Sequence, residues 1–134
     1  ASRAQACFER EGFRDRAEAF GGSFLSDPLP RGADVISLVR VLHDHDDAAV
    51  MQALRAVRDA LPDDGVILIA EPLAGTSGAE AMGDGYFGFY LLAMGQGRPR
   101  NAKELFDMLS KAGFRRIRQH RTRRPLLTGV MTAC

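Results

Sequence analysis

Tryptophan is absent from the 134 residues, and cysteine occurs only at Cys7 and Cys134, near opposite ends. Two cysteines make no disulfide framework, so a stapled secreted scaffold is excluded and a reduced, cytoplasmic setting is expected. No apolar run approaches the roughly 20 residues of a membrane helix. The longest candidate, Tyr86 to Met94, falls short of that and contains Gly88. An excess of one charge is also missing, since 18 Lys and Arg stand against 17 Asp and Glu. A globally basic nucleic-acid binder is therefore not expected. Gly21-Gly22 is not a dinucleotide fingerprint and no GxxxxGKS/T occurs, so an NAD-dependent enzyme would rest on fold analogy alone. Internal repeats and low-complexity tracts are lacking. The opening ASRAQACFEREGF carries charges throughout and has no apolar stretch like that of a secretory leader. It reads as mid-helix, so the expectation is a piece of something longer.

What remains is an ordinary globular composition, 46% hydrophobic and 26% charged, at a length suited to one core. Arg3 to Glu11 reads as a helix end closed by Gly12. Ala17 to Phe20 reads as a short strand before the Gly21-Gly22 break, and SDPLPRGAD as a loop. Asp34 to Leu42 is a nearly continuous apolar run, which suits a strand buried on both faces of a parallel sheet. After the polar interruption His43 to Asp47, Asp46 can cap a helix whose stripe is Val50, Leu54, Val57 and Leu61, stopped by Pro62. Val66 to Ala70 is a second buried strand, ending in Glu71-Pro72. Gly75 to Gly85 reads as loop and Tyr86 to Met94 as a buried helix. Asn101 with Glu104 three residues on predicts a capped helix with stripe Leu105, Leu109 and Ala112, ended by Gly113. Arg115 to Arg121 and Leu126 to Thr132 read as two closing strands. Strands alternating with helices indicate an α/β fold with a largely parallel sheet.

In such sheets ligands bind at the carboxyl ends of the strands. His43-Asp44 and Glu71 end consecutive apolar strands, so they are expected to face one crevice. Imidazole titrates near neutral pH and suits a general base, with Glu71 orienting the ring through its other nitrogen. The plainer alternatives are a structural histidine at a strand end and an acid that merely ends a strand before Pro72. His43, Asp44, His45 and Asp46 match no standard zinc spacing, so no metal is expected. Tyr86, Phe87, Phe89, Tyr90 and Met94 are either a core helix or one wall of an apolar pocket. The six arginines between Arg115 and Arg124 lack interleaved aromatics and read as a solvated strand face, with no nucleic-acid partner expected.

These residues resemble the C-terminal part of the S-adenosylmethionine-dependent O-methyltransferases, the family of the plant caffeate and flavonoid enzymes and their bacterial relatives. The resemblance rests on GGSFLSDPLPRGAD, RVLHDHDD, LPDDGVILIAEPL and NAKELFDMLSKAGFRRIR, and covers nearly the whole sequence. Within the family, YFGFYLLAMGQGRPR is most similar to the bacterial 1-hydroxycarotenoid methylases of the hydroxyneurosporene and demethylspheroidene type. The resemblance implies part of a Rossmann-like class I methyltransferase domain over 1–134, mostly parallel with an antiparallel closing strand. It implies that the first strand and glycine-rich cofactor loop lie elsewhere, that S-adenosyl-L-methionine is the cofactor, and that this piece alone is inactive and binds the cofactor weakly.

By the same resemblance the family's base falls on His43, its partner acid on Glu71, and Asp44 follows the histidine. Gly22, Ser23, Phe24 and Arg40 fall on cofactor-contacting positions, and the Tyr86 to Met94 aromatics on the acceptor pocket. Three positions depart from the family. Pro99 replaces its second glutamate, Ser23-Phe24 replaces an Asp-aromatic pair, and His45 replaces a tryptophan. The implied acceptor is an apolar hydroxylated small molecule, with peripheral membrane contact and a homodimeric full-length protein. A non-catalytic ligand- or partner-binding relative of the same fold is the alternative that those departures keep open.

Overall fold

The computed structural model describes residues 1–124 and 128–134, and the side chains of all of these except residues 82–84. Helix α1 (Ser2–Arg10) ends on Gly12, whose φ of 75° is the left-handed turn expected there. No strand follows. Residues 17–20 have no ladder to join, and the Ala19 N–H instead donates to the Gln5 side chain at 3.0 Å.

The sheet is built from β1 (Val35–Val39), β2 (Val66–Glu71), β3 (Arg118–His120) and β4 (Gly129–Ala133), in spatial order β1-β2-β4-β3. β1 and β2 are parallel, and β4 is antiparallel to both of its neighbours, β2 and β3. Three strands therefore run one way and β4 opposes them, as expected. Helix α2 (Asp47–Ala60) crosses over between β1 and β2, started by Asp46, whose Oδ1 accepts from the Ala49 N–H at 2.9 Å. Helix α4 (Ala102–Lys111) starts in a complete capping box between Asn101 and Glu104. The apolar stripes of α2 and α4 meet Ile67 and Ile69 of β2 and Met131 and Ala133 of β4, and these side chains form the core.

The strand expectations need correcting in extent. β1 is five residues long and is not buried on both faces. Ile36 and Leu38 pack toward the core, whereas Val35 and Val39 are each 55% exposed. It ends because Arg40 adopts φ 55°, which turns the chain out of the ladder. β3 is also short. Arg115 and Cys134 exchange backbone hydrogen bonds, while Arg118 pairs with Thr132, so one extra residue sits on the β3 side. That is a β-bulge, and Arg116, at φ 47°, makes it. Of the last expected strand, Leu126 and Leu127 lie outside the described residues.

The stretch read as loop up to Gly85 also differs. A wide π-helical turn, Ala81–Tyr86, runs directly into α3 (Phe87–Met94). α3 is not a buried helix: Phe87 and Leu91 are its buried residues, while Phe89 and Leu92 are each 76% exposed. A short hydrophobic segment carries no periodicity that tells one face from the other, so burial could not be assigned from its composition.

Candidate active site

The strand ends of β1 and β2 build the site. Arg40 donates the last parallel-ladder bond to the Ala70 carbonyl at 2.9 Å, then its left-handed backbone sends the chain into a single 3₁₀ turn, Leu42–Asp44. Glu71, the last residue of β2, takes over where the ladder stops. Its Oε1 accepts from the N–H groups of Val41 at 2.9 Å and Leu42 at 2.7 Å. Its Oε2 lies 2.6 Å from Nδ1 of His43. A carboxylate only accepts, so Nδ1 carries a proton, and in the neutral ring Nε2 is then the nitrogen with the lone pair. His43 is 4% exposed and Glu71 2%.

Nε2 faces Asp44 Oδ1 at 3.3 Å, and that oxygen is buried without a hydrogen-bond partner among the described residues. Two acceptors stand opposite each other there, a place suited to a hydroxyl or an added proton. The structure thus brings His43, Asp44 and Glu71 together. Phe87 sets its ring edge-to-face on His43 at 5.4 Å, and the Arg40 guanidinium lies over the Phe87 ring at 5.3 Å. Tyr86 and Tyr90 stack at 6.5 Å and both contact Phe87, which makes an aromatic path from His43 to the surface. Phe89 and Met94 are exposed.

Gly22, Ser23 and Phe24 lie in the loop before β1, in a groove of about 270 Å³ that also includes Asp27 and Pro28. Ser23 donates its N–H to Asp27 Oδ2 at 2.8 Å, and a side chain at Gly22 would meet the same oxygen at 3.0 Å. Phe24 packs edge-to-face on His45, two residues from His43, at 5.3 Å and remains 38% exposed. Exposed aromatic surface of this kind suits packing against a flat heterocycle. Among the described residues no group of three or more His, Cys, Asp or Glu could hold a metal ion.

Arg100 was not singled out by the sequence, yet it is 3% exposed. Among the described residues three polar or charged side chains are buried, His43, Glu71 and Arg100, and all three meet at the Leu42–Asp44 turn. Arg100 also binds Asp47, at the first residue of α2. Arg98 binds Asp47 at 2.9 Å and Glu104 at 2.7 Å. Arg98 first, then Arg100, hold the Asp47 carboxyl below its usual range. The Asn101 N–H, then Arg98, do the same for Glu104. The only trace of this in the sequence is the spacing of Gly97 and Arg100 ahead of the Asn101 cap.

A family model for the O-methyltransferase domain matches residues 1–115. The chain is 46% identical over 121 residues to demethylspheroidene O-methyltransferase of Rhodobacter capsulatus, covering 90% of this chain and 31% of that protein. It is 36% identical over 117 residues to acetylserotonin O-methyltransferase of Mus musculus, covering 87% and 30%. The crystal structure of human N-acetylserotonin methyltransferase in complex with SAM superposes with a TM-score of 0.73 at 26% identity, over 91% of this chain and 36% of that one. The chain spans about a third of the length of these curated relatives.

Proposed function

The chain belongs to the O-methyltransferase domain family, and from that premise we propose that it supplies the proton-accepting half of a methyltransferase active site. Residues 1–134 are read as part of the catalytic domain, with the first strand and the glycine-rich cofactor loop in a longer protein. The reaction is transfer of a methyl group from S-adenosyl-L-methionine to a substrate hydroxyl. The similarity to a demethylspheroidene enzyme favours a 1-hydroxycarotenoid as acceptor. The observation that carries the reading is the buried His43–Glu71 pair at the carboxyl ends of two parallel strands.

Gly22, Ser23, Phe24 and Arg40 would hold part of the donor, with the exposed part of the Phe24 ring toward its adenine. When bound, the donor supplies a methyl group already activated on a sulfonium. The chain's own contribution is position and proton removal. Glu71 fixes the His43 tautomer, and Nε2 takes the hydroxyl proton while the oxygen is alkylated. A tertiary alcohol is too weak an acid for imidazole to deprotonate beforehand, so proton loss and methyl transfer are concerted. The resulting imidazolium meets Glu71 on one side and Asp44 on the other. Tyr86, Phe87 and Tyr90, with Phe89 and Met94 at the outer end, would line the path of the apolar acceptor.

Among the described residues no helix is long and apolar enough to cross a membrane. A cytoplasmic protein that meets the membrane at its periphery and pairs as a homodimer is the arrangement we read for the complete polypeptide. The test is His43→Ala in that complete polypeptide, with labelled methyl transfer to a 1-hydroxycarotenoid. Turnover is expected to fall by about 10²- to 10⁴-fold with donor affinity unchanged. Retained turnover would overturn the base assignment, and absence of any transfer in the unaltered protein would favour the non-catalytic relative.

A further inference from the structure

We propose that Gly97 and Arg100 form a clamp that sets His43 against Glu71, so that Arg100 is a positioning residue of the proton-accepting site. The proposal rests on His43 being the proton acceptor.

The 3₁₀ turn that carries His43 is poorly held by its own bonds. Asp44 N–H to Val41 O and His45 N–H to Leu42 O are both 3.3 Å. Such i→i+3 geometry is weak, and a single turn has no neighbours to reinforce it. Its position must come from outside. Glu71 holds the N–H groups on one side of the turn. Arg100 holds the carbonyls on the other. Its Nη1 donates to Leu42 O at 2.7 Å and its Nη2 to His45 O at 2.8 Å, the carbonyls one residue before and two after His43. Nε and Nη2 also reach Asp47 Oδ1 at 3.0 and 2.7 Å, so all three guanidinium nitrogens are engaged.

An ion pair with Asp47, whose side chain is 53% exposed, would not by itself require burial of the arginine. Burial of a guanidinium is strongly unfavourable unless its donors are satisfied. Here the burial is what brings the fork onto the two carbonyls. Lysine has no planar fork and could not span Leu42, His45 and Asp47 together.

Gly97 closes the clamp from the same loop. At φ 83° it lies so close to the turn that a Cβ would run into the His43 carbonyl oxygen and stand 2.7 Å from the Asp44 carbonyl carbon. Backbone, not a flexible tip, is what it would strike. Pro99 between the two clamp residues has a fixed φ, which stiffens the loop that presents them. Arg98 bonds the same loop to Asp47 and Glu104.

The experiment uses the complete polypeptide with Arg100→Ala and reads three quantities. The first is kcat against KM for S-adenosyl-L-methionine with a 1-hydroxycarotenoid acceptor. The second is rescue by free guanidinium. The third is the downfield proton resonance of the His43 Nδ1–H held by Glu71, identified by its loss in His43→Ala. A folded Arg100→Ala is expected to lose about a hundredfold in kcat, with the donor KM changed by less than about twofold and about tenfold rescue by guanidinium. The resonance should shift or vanish. An unmoved resonance with unchanged kcat in the folded variant would overturn the clamp. Should Arg100→Ala fail to fold, Gly97→Ala is read in the same way, and an unmoved resonance and kcat there overturn it equally. A shifted resonance in a protein whose unaltered form transfers no methyl group would support the clamp while refuting the methyltransferase reading.

Discussion

Glu71 carries two loads at the residue scale. One oxygen replaces the ladder partner that Val41 and Leu42 lose where β1 ends, and the other fixes the tautomer of His43. Glu71→Gln separates the two. The amide oxygen can still accept from the two N–H groups, but the amide NH₂ then faces Nδ1 and drives the ring proton to Nε2. Turnover is expected to drop by roughly 10³- to 10⁴-fold while the thermal midpoint barely moves. Glu71→Ala should instead destabilise the protein, by about 1–3 kcal/mol for each buried N–H left unpaired. Equal stability losses in the two variants would contradict this division. His43 and Glu71 could be found in the sequence because each interrupts an apolar run at a strand end. Arg100 could not, because an arginine in a glycine- and proline-rich loop looks solvated until the fold wraps the His43 turn around it.

At the scale of elements, local signals that act within one turn were readable and long-range ones were not. The Asp46 and Asn101 caps, the α2 stripe and the Gly12 and Gly113 stops all stand where their residues predict. β1 and β3 are shorter than their apolar or alternating runs, because Arg40 and Arg116 take left-handed conformations that arginine seldom adopts and that nothing in the runs announces. α4 starts from an ionic cluster with a definite pH dependence. Asp47 and Glu104 both titrate below their ordinary values of 3.8 and 4.5 in the folded protein. Their contribution is therefore fully present above those values and is lost as the pH falls through the lower folded ones. The urea midpoint of the complete polypeptide should decline on acidification below about pH 4.5, and the Asp47→Asn, Glu104→Gln double variant should show a shallower decline. Parallel curves for the two proteins would show that the cluster adds nothing.

On the scale of the whole molecule, β1 is the edge of the sheet, and Val35 and Val39 stand bare on one of its faces. An unpaired apolar edge is a template for another strand. The 134-residue segment produced alone is expected to self-associate, and Val39→Lys should shift it toward monomer in sedimentation velocity. A segment that stays monomeric at high concentration would remove the argument.

The opposite edge, β3, has a different character. All six arginines from Arg115 to Arg124 are exposed, and no acidic residue lies among them. They account for a third of the 18 cationic side chains, which leaves the rest of the chain with 17 acids and 12 bases. A molecule that is nearly neutral in total is therefore an electric dipole, positive at the β3 edge. Its encounters with any charged body are oriented before contact. An anionic surface draws in the β3 edge and leaves the far, β1 side of the sheet facing away, whereas a cationic one meets the chain the other way round.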